Sequence, residues 1–149
     1  MKQPAQLINP QEAEARVAAR YRVLLTLWIA MLVSFSTFLV VVLVVPGSGQ
    51  PNQTLTFALL GVGLVAVIVS VVLKSKLLKQ AIEKQQLQSL VNAYVLGFAL
   101  CEAAAIFGVL DHFVTGSVYY PFAFITAAIG MLLHFPKKEH LRAVAFPQS

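Results

Sequence analysis

Ala99-Leu100-Cys101-Glu102-Ala103-Ala104-Ala105-Ile106-Phe107-Gly108-Val109-Leu110 places one carboxyl group inside a run otherwise apolar enough to cross a membrane. The run extends from Leu90 to Leu110, and Glu102 is its only charged residue. An acid at that depth costs about 2.5–3.5 kcal/mol on insertion scales, so it persists only where something uses or satisfies it. The rest of the chain explains how such a run is housed.

Of the 149 residues, 58% are hydrophobic and 11% charged, and the mean hydropathy is +0.79. A soluble domain carries about 25% charged residues. The deficit, with several long uncharged runs, reads as an integral membrane protein. Period-two alternation is missing, which argues against a barrel and leaves α-helices as the spanning element. The expected fold is all-α: an integral membrane four-helix bundle of two helical hairpins, forming one transmembrane domain over residues 1–149. The spans fall at 21–45, 54–73, 90–110 and 118–135. At 1.5 Å per residue the first reaches roughly 37 Å and the last, the shortest, about 27 Å. Asn9-Pro10-Gln11-Glu12 reads as a helix start, with Asn9 as N-cap and Pro10 at the first helical position. That helix runs on into span one, behind a loose polar segment at residues 1–9. Residues 74–89 hold no Gly or Pro and read as helical extensions of spans two and three around a short bend. Residues 136–149 read as a short basic tail.

Every one of the 11 Lys and Arg residues lies in residues 1–22, in 74–89 or after Pro136. The loops at 46–53 and 111–117 hold none. With four spans, the basic segments share one side. The positive-inside rule makes that side cytoplasmic, with both termini in and the protein in the inner (plasma) membrane. The net charge of +5 is thereby assigned to anchoring rather than to nucleic acid.

Depth can be counted from the uncharged end of each span. Glu102, Thr126 and Thr37 lie about 12 Å in, Ser34 about 16 Å, and Gly61 and Gly63 roughly 10–13 Å. Ser34, Thr37, Gly61, Gly63 and Thr126 are therefore candidate neighbours of Glu102, offering hydroxyls and close backbones to a protonated acid. Span three also carries Gly97, Cys101, Ala104, Ala105 and Gly108 at spacings of three and four, a surface that lets helices approach closely.

The residues from Ala99 to Gly108 resemble the acid-bearing helix of the proteolipid c-type subunits of rotary ATPases. That family has an Ala-Leu-x-Glu-Ala-x-Ala-Ile-aromatic-Gly pattern. The resemblance implies that Glu102 carries a proton or sodium ion, and that spans two and three form the hairpin around a cytoplasmic turn. It covers about a dozen residues. The family's companion helix is a dense glycine repeat, where span two has Gly61 and Gly63. Its short polar turn with Arg and Pro is here a long Lys- and Gln-rich connector.

The remaining chemistry is sparse. One cysteine, Cys101, excludes an internal disulfide and reads as a small apolar residue. His112, His134 and His140 fall in the uncharged loop, near the basic end of span four and in the tail, so they hold no metal together. Asp111 beside His112 reads as a solvated helix end. The sequence carries no phosphate loop, zinc spacing or nucleophile elbow, and no cofactor is expected. The expected function is that of a small multi-pass membrane protein without catalytic machinery. It would be an accessory or assembly component that associates with itself or with a larger membrane complex, with Glu102 as a hydrogen-bonded intramembrane acid. The alternative is ion translocation through Glu102.

Overall fold

The computed structural model describes residues 10–146, and the expected Asn9 cap and loose segment at 1–9 lie outside them. The described residues form five α-helices in order: α1 (Pro10–Val44), α2 (Gln53–Glu83), α3 (Leu87–Leu110), α4 (Pro121–Leu133) and α5 (Lys138–Ala145). A single π-helical turn, Asp111–Thr115, prolongs α3. Among the described residues three helices are long and apolar enough to cross a membrane: α1, α2, and α3 with its π turn.

Each helix buries a seam spaced by fours and threes. In α1 the seam is Val17, Tyr21, Leu24, Trp28, Met31, Phe35, Phe38 and Val42, all buried or packed against the core. In α3 it is Leu90, Tyr94, Gly97, Cys101, Ala104 and Gly108, continued by Asp111 and Thr115 of the π turn, all buried. Thr56, Gly63, Val67, Ser70 and Ala81 keep the same spacing in α2, and Ala123, Ala127 and Gly130 keep it in α4. A repeat averaging 3.5 residues keeps a seam facing its partner along a long helix crossing at a shallow angle. Away from the seams, Val33, Val40, Leu64, Ile68, Phe122 and Ile129 stand exposed. The bundle is thus apolar outside, with small or polar residues in much of the α2, α3 and α4 seams and large apolar ones in that of α1.

Of the two expected hairpins, α3 packs on α4 but α1 does not pack on α2, and the most extensive contact is between α2 and α3. Helix α3 is central and touches α1, α2, α4 and α5, whereas α1 packs chiefly on α3 and α5. The segment at 45–52 carries the chain across the π turn to reach α2. A Cβ on Gly47 would lie 2.4 Å from the carbonyl oxygen of His112, and one on Gly49 would lie 2.2 Å from that of Val114. Those contacts leave no room for a side chain at either glycine.

Two other expectations change. The fourth apolar helix starts at Pro121, not Val118, and has only 13 residues, roughly 20 Å of rise. Proline sits at its first turn, where its missing N–H costs nothing, and residues 118–120 form a turn. The basic tail, in turn, folds as α5. Leu141 and Val144 of α5 are buried together with Ala13, Val17, Ala81 and Leu90, and Lys138 and Arg142 pair with Glu14 at 3.2 and 2.6 Å. The exposed ion pairs add little; the buried leucine and valine hold the helix down. The bend at 84–86 is short, as expected, and Gln85 turns it with a left-handed φ of 51°. A non-glycine residue tolerates that conformation only when its surroundings impose it. Here the Gln86 N–H closes the turn on the Ala81 carbonyl at 3.0 Å.

Candidate functional site around Glu102

Glu102 lies on the side of α3 that carries Phe98, Ala105 and Val109, and this side faces α1. The Ser34 hydroxyl of α1 donates to Glu102 Oε1 at 2.5 Å. The carboxyl group is half-buried rather than enclosed, and neighbouring Ile106 and Val33 are exposed. The bond therefore joins a mid-helix acid to a mid-helix hydroxyl at the edge of the bundle.

The other residues at this depth go elsewhere. Thr37 donates to the Val33 carbonyl at 2.9 Å, and Thr126 donates to the Phe122 carbonyl at 2.8 Å. Each satisfies its hydroxyl within its own helix, four residues back. Gly63 faces α3, its ideal Cβ 3.6 Å from the Ala104 Cα. Gly61 faces away, with nothing within 4 Å of an added Cβ, and shares with Thr126 a groove of about 360 Å³ between α2 and α4. The six residues thus occupy separate places: a contact between α1 and α3, an approach of α2 to α3, a groove between α2 and α4, and the exposed surface of α1. Equal depth fixes height along a helix but not direction around it.

The small residues of α3 meet α2 and α4 on its other sides. A Cβ on Gly97 would sit 2.2 Å from His134 Cδ2, and one on Gly108 would sit 2.9 Å from the Ala123 Cβ. Cys101 Sγ lies 3.6 Å from Ser70 Oγ and 2.7 Å from where Gly130 would carry a Cβ. Ala104 and Ala105 are fully buried.

The histidines are fixed by different partners. His134 is buried and donates from Nδ1 to the Gly130 carbonyl at 2.7 Å, its ring filling the notch left by Gly97. His112 is buried, not loop-exposed, and donates from Nε2 to the Val45 carbonyl at 2.8 Å. Asp111 is also buried, correcting the expected solvated helix end. His140 accepts from the Tyr94 hydroxyl at 2.7 Å, because Tyr94 itself accepts from the Lys137 N–H at 3.2 Å. Burial, then the Lys74 and Lys137 charges, hold His140 below the usual histidine range, so this contact is made by a neutral ring. Among the described residues no three His, Cys, Asp or Glu side chains gather as metal ligands.

Trp28 is a contact that the depth count passed over. Its Nε1 donates to the Met131 carbonyl at 3.0 Å, and its ring stands edge-on to Phe135. Together with Phe35 against Phe124 it ties α1 to α4. The signal lay in the α1 seam, where Trp28 and Phe35 stand seven apart.

The chain matches no protein-family model, no curated protein and no solved structure. The function rests on the geometry.

Proposed function

We propose that this is a small multi-pass inner-membrane protein that acts as an accessory or assembly component, associating with itself or with a larger complex. The observation that carries the reading is the Ser34–Glu102 hydrogen bond between α1 and α3. Apolar packing between helices gains little in lipid, so a polar contact between two helices fixes which helices meet and in what register. The serine hydroxyl gives the carboxyl group a partner inside the protein, which lowers the cost of the acid. In this reading the exposed valines, leucines and phenylalanines face lipid or partner helices.

A second reading, ion translocation, draws on one feature: the carboxyl group is only half-buried and lies beside exposed apolar surface. The resemblance of residues 99–108 to the proteolipid helix points the same way. Proteoliposomes separate the two. The packing reading expects no proton or sodium flux above empty vesicles and no ion-dependent protection of Glu102 from a hydrophobic carbodiimide. Flux that disappears in Glu102→Gln would establish translocation instead.

The basic segments place both termini and the 74–89 connector in the cytoplasm. Cysteines introduced at Ser48 and Ser117 then react with impermeant reagents from outside the cell, and those at Ser75 and Ser149 do not. The native Cys101 is buried, so Cys101→Ala serves as a quiet background. Reaction at Ser75 from outside would reverse the orientation.

A further inference from the structure

We propose that the uncharged-loop end of the bundle holds a monovalent cation at Asp111, a site separate from Glu102. The sequence puts Asp111 and Thr115 four apart, and the π turn directs both inward. Asp111 and Thr115 are fully buried, and Thr56 of α2 is 3% exposed. π-helical turns are rare and occur frequently at functional sites.

The site is short of hydrogen-bond donors. Thr115 Oγ1 lies 2.7 Å from Asp111 Oδ1 and 2.7 Å from the Asp111 carbonyl oxygen. It also accepts from the Thr56 hydroxyl at 3.0 Å and from the Ser117 N–H at 3.2 Å. A hydroxyl has one proton to give, so one of those two Asp111 oxygens goes without it. Asp111 Oδ2 has no hydrogen-bond partner among the described residues, although it is buried. A carboxylate, a backbone carbonyl and two hydroxyls therefore converge with more lone pairs than protons.

The loops at this end, 46–53 and 111–117, supply no lysine or arginine to pair with Asp111. His112, the other titratable group of this turn, commits Nε2 to the Val45 carbonyl. An isolated buried carboxylate is costly unless it is paired or coordinated. Oxygen-only ligands suit a hard cation, and a single carboxylate balances a single charge, which selects the sodium class over divalent ions. A cavity of about 450 Å³ whose lining includes Asn52, Gln53, Thr56, Thr115, Ser117 and Tyr119 opens beside the two threonines.

The test is thermal unfolding of the purified full chain in detergent. NaCl, KCl or LiCl replaces N-methylglucamine chloride at constant ionic strength and pH. The expected result is a saturable rise in Tm of about 3–6 °C once one alkali cation exceeds its Kd about tenfold. The rise is lost in Asp111→Asn and reduced in Thr115→Val and Thr56→Val. Equal curves for all salts, the behaviour of a neutral protonated Asp111, overturn the proposal, as does an undiminished rise in Asp111→Asn. If Asp111→Asn does not fold, sodium-23 line broadening on the wild type decides. Broadening relieved in Thr56→Val supports the site, and its absence removes it.

Discussion

Replacing Gly97 by leucine is expected to prevent the bundle from closing. The added Cβ alone would lie 2.2 Å from the His134 ring, and His134 is fully buried. Helix α3 must then move away from the end of α4, which breaks the seam on both sides of Cys101. Overpacking of this kind costs on the order of 3 kcal/mol or more. Gly61→Leu adds the same side chain at a position with nothing within 4 Å, and its effect should stay within about 0.5 kcal/mol. Thermal unfolding in detergent, with expression level as a second readout, checks the pair. Equal stability of the two variants would remove the case for a close α3–α4 contact at Gly97.

The second large effect concerns the basic end. Leu141 of α5 is fully buried, in a core that also holds Val17, Ala81 and Leu90. Leu141→Asp deletes that burial and sets a charge among apolar groups, so α5 should leave its site rather than bury the carboxylate. Loss of the leucine alone is worth about 2–5 kcal/mol. At 2 kcal/mol, opening of α5 becomes about 30-fold more populated. Brief trypsin treatment should cut after Lys138 and Arg142 much faster than in the wild type, while the rest of the bundle stays intact. Unchanged cleavage would mean that the Glu14 ion pairs, not the leucine, hold α5.

Composition and the placement of charge were enough to read an all-helical chain with long apolar helices and a helical connector around a short bend. The neighbours of Glu102 were only partly legible. Ser34 stood among the candidates and does meet the acid, whereas Thr37 and Thr126 turn back on their own helices. A depth count has no angular term, so it could not separate them. The seams supply that term. Val17 to Val42 in α1 and Leu90 to Thr115 in α3 repeat by fours and threes, and Glu102 falls on the α1 side of that register. This pattern was hard to see because the apolar residues of these helices surround them almost completely. The seams of α2, α3 and α4 are marked instead by Gly, Ala, Ser, Thr and Cys. The docking of α5 was hidden for a related reason: Leu141 and Val144 are too few to stand out within a basic segment. Asp111 is buried within the π turn, which has no local sequence signature.

The central claim is that Glu102 serves α1 as a hydrogen-bond acceptor. A double-mutant cycle on unfolding free energy in detergent, with Ser34→Ala, Glu102→Leu and the pair, measures that contact most directly. Each single change should cost about 1 kcal/mol, and the double variant about the same as either one. Glu102→Gln keeps an acceptor oxygen and should remain close to the wild type. Strictly additive losses, or a Glu102→Gln variant as unstable as Glu102→Leu, would contradict the assignment of Glu102 to packing.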